Sequence, residues 1–344
     1  MKLNNKQLKQ ILIGAAFFST GGGGPLDAGL ELIQGISELE LVDLNDAPGS
    51  SICATAYLVG SIKAPSLVEL KKRHKNVAVE QESDLVPGAF DVLQKNFPKE
   101  IELIVPVELG GHNTAVSFYL ADMANLPVLN ADLTGRSAPE MYQTGYYIGG
   151  IPPTPAGVFT LFGENLFIEH VDDYERLDDI FRELVNLCDS YDIGVANFPL
   201  PVTEAAPYMI RNTLTLCMKI GALLEQAKIE EAVQLAGGEI IFKGMPVEEK
   251  YEVKQGFTFG YVDIKGKEGI LRLEYKNEIM VAKRDDKIIA AVPDLIGVVN
   301  EKGIPILNTK YKRGEQVVVF TVPSPELWRT GKGLEVFSLE HFGF

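Results

Sequence analysis

The chain is poor in cysteine, histidine and positive charge. Its 344 residues hold three cysteines, four histidines and one tryptophan. Cys53, Cys188 and Cys217 are odd in number, far apart and in no CxxC pair. That pattern excludes a disulfide framework and a cysteine-based zinc site. Cys53 and Cys217 lie in apolar runs and read as buried filler; Cys188 ends a helix-like run and reads as structural. Lys and Arg total 32 against 47 Asp and Glu, for a formal net charge of -15. The longest basic cluster, Lys71-Lys72-Arg73-His74-Lys75, is short and reads as an exposed helix end. A nucleic-acid surface needs more clustered cations than this. The overall field repels polyanions, so no nucleic-acid partner is expected.

Long apolar runs are missing as well. Residues 11–18 are apolar but too few to span a bilayer, and no signal-peptide cleavage pattern follows them. We therefore expect a cytoplasmic protein with no membrane partner, one that forms a homo-oligomer. Neither GxSxG nor HExxH occurs. His74, His170 and His341 have no partner pattern, and Glu204 and Arg211 are equally unplaced. What remains is ordinary: 46% hydrophobic and 23% charged residues. A chain of this length should divide into about two domains.

Asn5 can cap a helix over residues 5–18, with Leu8, Ile11, Leu12 and Ala15 on one face. A second helix over residues 26–34 ends at Gly35. Strands are expected over 39–42, 51–60, 101–107 and 126–130, with helices starting near Pro65 and over 113–125. This alternation predicts an α/β domain over residues 1–170, with a largely parallel or mixed sheet. A hairpin across Gly163-Glu164 follows a stiff Gly/Pro-rich stretch, residues 149–155. Next come a helix over 173–188 with an acidic start, a strand over 193–200, and two or three helices between 202 and 236. From Gly238 the runs shorten and alternate: 240–242, 251–253, 257–264, 269–275, 278–282, 287–292 and 316–322. Lys-Gly, Lys-Asn and Asp-Asp turns separate them, which predicts an antiparallel sandwich or barrel. The second domain, residues 171–344, is thus expected to be mixed and β-rich from about residue 238.

Three segments carry candidate chemistry. Thr20-Gly21-Gly22-Gly23-Gly24 lies between two helices. Each glycine costs backbone entropy, so four in a row suit a place where backbone amides approach a ligand. A tight helix–helix turn is the plainer reading. The run is neither a P-loop nor a dinucleotide fingerprint, since no strand precedes it and no Lys-Ser/Thr follows. The second segment, Glu108-Leu109-Gly110-Gly111-His112-Asn113, stands at a strand end opening a helix, where α/β sheets bind ligands. Glu108 and His112 suit general acid–base work or metal ligation. Asn113 suits either a ligand contact or a helix cap. The third, residues 130–140, follows the next strand and carries Asp132, Arg136 and Glu140. Arg136 can hold a carbonyl or carboxylate, and the two acids can bind a hard cation or move protons. A loop pinned by an Arg–carboxylate pair would show the same residues.

In this order the three segments resemble the prokaryotic family of S-methyl thiohydantoin desulfurases, linked with hydantoin utilisation. The resemblance rests on Thr20 to Gly24, on Glu108-Leu109-Gly110-Gly111 with Asn113, and on Asp132, Gly135-Arg136 and Pro139-Glu140. Gly343 after Phe342 belongs to it too. It covers most of the chain and implies two domains, the second carrying the β-rich part. It also implies a hydrolase-like enzyme acting on a small cyclic amide or imide, such as an S-methyl thiohydantoin or hydantoin. Amides of Gly21 to Gly24 would then hold a carbonyl or its oxyanion. Glu108 or Asp132 would activate water, with a divalent cation as a candidate cofactor. His112 would assist, Arg136 would orient the substrate, and Thr20, Gly110, Gly111, Asn113 and Glu140 would bind it. Two departures stand out: Asn130 replaces a commonly acidic residue, and Ser137-Ala138 replaces a small residue and an aromatic. Asn130 favours an alternative, a non-catalytic metabolite-binding or accessory subunit of a hydantoinase-type system. A phosphate-using enzyme is a third reading and rests on the glycine run alone.

Overall fold

The computed structural model describes residues 1–60, 66–75, 77–254 and 256–344. The expected helix start near Pro65 lies outside the described residues. The chain opens with β1 (Lys2–Asn4), α1 (Asn5–Phe18), α2 (Leu26–Leu32), β2 (Glu38–Val42) and β3 (Ile52–Val59). It continues with α3 (Leu67–Arg73), α4 (Glu82–Asn96), β4 (Ile101–Ile104), α5 (Asn113–Ala124), β5 (Val128–Leu129) and β6 (Ala131–Asp132). Next are α6 (Gly145–Gly149), β7 (Ala156–Phe159), β8 (Asn165–Ile168), α7 (Tyr174–Leu187) and β9 (Ile193–Pro201). Then come α8 (Val202–Ala205), β10 (Ile210–Arg211), α9 (Thr213–Leu224) and α10 (Ile229–Leu235). The β-rich part follows: β11 (Glu239–Lys254), β12 (Phe257–Gly266), β13 (Gly269–Lys276), β14 (Glu278–Arg284) and β15 (Lys287–Ala291). The chain closes with β16 (Leu295–Asn300), β17 (Val317–Val322), α11 (Gly331–Val336) and α12 (Leu339–Phe342).

Eight strands form one sheet in the order β1-β2-β5-β4-β3-β9-β7-β8. The β2-β5-β4-β3 core is parallel and its flanks are antiparallel, so the sheet is mixed. β3 is buried along its whole length, which explains its unbroken apolar run. β9, from the second half of the chain, enters this sheet between β3 and β7. The other large sheet is antiparallel, ordered β15-β14-β13-β12-β11-β17-β16, and curls into a half-barrel. It has its own small core around Phe242, Val262, Ile264, Leu273 and Val319.

Local differences from the sequence expectations have identifiable causes. Residues 240–242 and 251–253 belong to one strand, β11, of 16 residues. A register shift between Pro246 and Glu248 absorbs the proline that reads as a break. α4 carries Pro87 inside it, which hid that helix in the sequence. The cap of α1 is Asn4, in a reciprocal capping box with Gln7. Asn5 instead donates from Nδ2 to the carbonyls of Ile33 and Ile36. No helix among the described residues is long and apolar enough to cross a membrane.

Two glycines set the position of the site. A Cβ at Gly14 would lie 2.0 Å from the Cys217 carbonyl oxygen, and one at Gly221 would lie 1.9 Å from that of Gln10. α1 and α9 therefore cross backbone to backbone. At the end of α1, Phe17 stacks on Phe320 of β17 with centroids 4.1 Å apart. The glycine run that follows is thus held against the half-barrel.

Candidate active site

The run from Thr20 to Gly24 is a junction of three parts of the chain. The Thr20 carbonyl accepts from Ile279 N–H of β14 at 2.9 Å, and the Gly21 carbonyl from Asn308 N–H at 2.9 Å. The Gly23 carbonyl accepts from His112 and Asn113 N–H at 3.0 and 3.2 Å. Two donors at the start of α5 are thereby satisfied internally. Glycine is required by contact: a Cβ at Gly22 would sit 1.7 Å from Glu278 Oε1. At Gly23, with φ 66°, it would sit 2.6 Å from Gly110 Cα. Gly110 and Gly111 are needed for the same approach, the latter 2.8 Å from Leu26 Cα when given a Cβ. Gly23 and Gly24 line a cavity of about 380 Å³, whereas Gly21 and Gly22 lie behind its wall.

The floor of this cavity carries two buried carboxyl groups, Glu108 and Glu278, that share one hydroxyl. Ser137 Oγ lies 3.0 Å from Glu108 Oε2 and 2.9 Å from Glu278 Oε1. A serine hydroxyl has one proton, so it can donate to only one carboxylate; the other contact needs a proton on the carboxyl. Glu108 also accepts from Asn113 Nδ2 at 2.8 Å and from Ala138 N–H at 2.9 Å. Glu278 Oε2 has no hydrogen-bond partner among the described residues. Burial pushes both carboxyls up, and the Glu108 charge helps push Glu278 to about 8. Glu108, with three donors, is the better placed to ionise; Glu278 is the one that holds the proton at neutral pH.

The sequence candidates divide between cavity and scaffold. Glu108, His112, Asn113 and Glu140 line the cavity. His112 stands between it and a second cavity, with Nδ1 3.7 Å from Glu82 Oε1; burial pulls its imidazole down. Asn113 bridges Glu108 to the end of β3, accepting from Leu58 N–H at 3.0 Å. Glu140 pairs with Lys276 and, at 2.7 Å, with His341; these partners outweigh burial and hold its carboxyl low.

Asp132 and Arg136 are outside the lining. Asp132 Oδ2 accepts from Thr134 and Gly135 N–H at 2.9 and 2.6 Å, and burial pushes its carboxyl to about 7. Arg136 is fully buried over Phe337, 4.6 Å from the ring centroid. Its guanidinium donates to Ser137 O, Thr20 Oγ1 and the carbonyls of Pro293 and Asp294 at 2.9–3.3 Å. Thr20 itself is buried and accepts that Arg136 donor. Asn130, the departure in the sequence, is also away from the cavity. Its Nδ2 donates to Asp43 Oδ1 at 2.7 Å, and its Oδ1 accepts from Thr215 N–H at 3.1 Å, so it caps the start of α9. Glu108, His112 and Asp132 therefore do not gather round one point. Among the described residues no group of three or more His, Cys, Asp or Glu is arranged to hold a metal ion.

Among the cavity residues that escape the sequence reading are Tyr57, Asp178, Arg182 and Glu278. Glu278 opens a strand that is otherwise apolar up to Lys283, a charge where alternation offers no reason for one. Asp178 and Arg182 look like an ordinary i,i+4 pair on an amphipathic helix. Tyr57 sits inside the apolar run of β3 and gives no signal. Among the described residues, six acids line the cavity against His112 and Arg182.

The fold and this site define a two-part α/β and half-barrel protein with a paired-carboxyl cavity. The family model for the S-Me-THD-like N-terminal domain matches residues 6–170, and that for the C-terminal domain matches residues 172–344. The chain belongs to the S-Me-THD-like family. Its structure is similar to the crystal structure of a protein from Chromobacterium violaceum, with a TM-score of 0.82 and 19% identity. The match covers 100% of this chain and 98% of that one, and at this identity the likeness is one of fold. No curated protein matches the chain.

Proposed function

We propose that the protein is an enzyme that removes the methylthio group from a small cyclic amide of the S-methyl thiohydantoin type. The observation that carries this reading is the pair Glu108 and Glu278 on one serine hydroxyl, inside a cavity large enough for a single small ring. Family membership supports the substrate class. Glu108 takes a proton from water as the water oxygen bonds to the ring carbon that bears sulfur. Glu278 gives its proton to the leaving sulfur, the C–S bond breaks, and methanethiol departs. The hydroxylated ring carbon then tautomerises to a carbonyl. The proton on Glu108 returns to Glu278 through Ser137 Oγ, which is within hydrogen-bond distance of both. Ser137 thus has a role that a bulkier or apolar residue could not fill.

Arg136, Asp132 and the amides of Gly21 and Gly22 act in this reading by holding the walls, not by touching the ring. Glu108→Gln keeps the shape and removes the base. It should lower turnover of an S-methyl thiohydantoin about 10³-fold, read as methanethiol release. Full activity in that variant would overturn the assignment.

A further inference from the structure

The half-barrel carries one long strand that is paired on both sides for only half its length. β11 pairs with β17 from Glu239 to Gly244, whereas its ladder with β12 runs on to Lys254. Past the register shift at Pro246, no described strand pairs with the side of β11 away from β12. Residues 250–254 are exposed, with Tyr251 at 39% and Val253 at 43%. An open strand edge of this kind is a template for another strand. Its two faces differ. Glu249 reaches inward and accepts from Thr309 N–H at 3.0 Å. Lys250 lies on the outer face over Tyr261, 5.9 Å from the ring centroid. Side chains alternate along a strand, so Glu248, Lys250, Glu252 and Lys254 share the outer face, and their charges alternate in sign.

We infer that residues 248–254 of β11 pair antiparallel with the same segment of a second copy of this chain, about a two-fold axis at Tyr251. That register sets Glu248 opposite Lys254 and Lys250 opposite Glu252, each twice in the dimer. Moving the axis to residue 250 sets Glu248 against Glu252. Moving it to residue 252 sets Lys250 against Lys254. The charge pattern therefore selects one register, and the occupant it fits is the segment itself. Charges that merely blunt an edge repel an identical strand; these match it. Lys250 already touches Glu248 of its own strand at 2.7 Å, and in the pair it bridges Glu248 and the second copy's Glu252. Exposed ion pairs add little energy, so they set the alignment while the backbone ladder supplies the attraction.

The test is sedimentation equilibrium of the full chain over a wide range of concentration at low salt. Wild type should dimerise reversibly. Lys250→Glu places Glu against Glu252, and Glu252→Lys places Lys against Lys250. Each should weaken the dimer about ten-fold or more. The double variant Lys250→Glu/Glu252→Lys restores opposite signs and should recover the wild-type association. The two single variants, mixed, should pair with each other better than either pairs with itself. Tyr251→Cys supplies a second measurement, since the native cysteines are all buried. Residues directly opposite in an antiparallel pair lie about 4.5–5.5 Å apart at Cα, within disulfide reach. Mild oxidation should link Tyr251→Cys into a dimer much faster than Lys250→Cys, whose two copies stand out of register. A monomer at every concentration would overturn the inference and leave the edge to a strand of another protein. So would a dimer that withstands both single substitutions, or single variants that do not associate when mixed.

Discussion

Two buried arginines stand near the same cavity, and they differ in what they hold. Arg136 spends its donors on protein oxygens from the glycine run, its own loop and the residues before β16. Arg182, on α7, is anchored by both terminal nitrogens, and its Nε lies 3.6 Å from Asp178 Oδ2 in an ion pair at the cavity wall. The first ties the two sheets together; the second faces the cavity. The carboxyl groups repeat the contrast. Each has one oxygen without a hydrogen-bond partner among the described residues, but Asp132 Oδ2 closes a turn away from the cavity with two backbone donors, while Glu278 lines the cavity. A buried polar group bonded into a turn or between sheets is architecture, whereas one that lines a cavity is placed to meet a ligand.

The largest effect should come from Arg136. Replacing it by methionine strands the oxygens it serves and leaves the nearby Glu108 and Asp294 carboxylates without their cation. Breaking a buried ionic network in this way costs about 3–5 kcal/mol. Burial pulls the Arg136 guanidinium down only to about 10, so it is charged at neutral pH. Urea unfolding of Arg136→Met should show that loss, whereas Arg182→Met should lose less than half as much and instead raise KM about ten-fold. Equal destabilisation of the two variants, or an unchanged KM in Arg182→Met, would break the comparison.

Glu278 ranks next. Glu278→Gln removes the acid with little change of shape and should lower turnover about 10²-fold. It should also change the pH dependence of stability. Glu278 is held at about 8 when folded against an ordinary value of 4.5. The folded protein therefore keeps a proton that the unfolded chain has released. The stability this group contributes is full below pH about 4.5 and is lost as pH rises through about 8. Glutamine has no charge to bury. The variant should match or exceed wild type in melting temperature above pH 8 while losing activity. Wild-type turnover should fall on an alkaline limb near pH 8. A variant that melts lower than wild type at pH 9 would contradict the assignment of Glu278 as the proton holder.

Much of this site was readable from local rules. Glycine runs, strand ends and helix starts have short-range signatures, so the loops around Glu108 and Asp132 were placed on one edge of the sheet. Their convergence with the glycine run follows from topology. Other features depend on distant packing. Glu278 reaches the cavity only because Ile279 N–H bonds to the Thr20 carbonyl, a contact between residues far apart in the chain. Asp178 and Arg182 have the spacing of a solvated helix pair, and only the position of α7 against β3 and β9 turns them inward. β9 has the look of a strand from the next domain, yet it pairs with β3 in the first sheet. Charge type alone also misleads: Arg136 and Arg182 are alike in sequence, and which one lines the cavity is decided by where their acceptors lie.

The smallest effect should come from Asp132, the acid that sequence alone made a candidate for activating water. Its Oδ2 serves two backbone donors, which a side-chain amide oxygen can do equally well. Among the described residues its Oδ1 is buried without a hydrogen-bond partner, as is the neighbouring Thr213 Oγ1, and burial holds the carboxyl at about 7. An asparagine amide at that place would donate to the threonine oxygen. Asp132→Asn should therefore keep turnover within a few-fold and cost less than about 1 kcal/mol at pH 6. The sign reverses at higher pH. The Asp132 contribution to wild-type stability is full below its ordinary value of 3.8 and lost as pH rises through about 7, so asparagine should be the more stable residue at pH 9. Thermal melts at pH 6 and pH 9, with methanethiol release at pH 7, check all three statements. An inactive but fully folded Asp132→Asn protein would erase the distinction between scaffold acid and cavity acid.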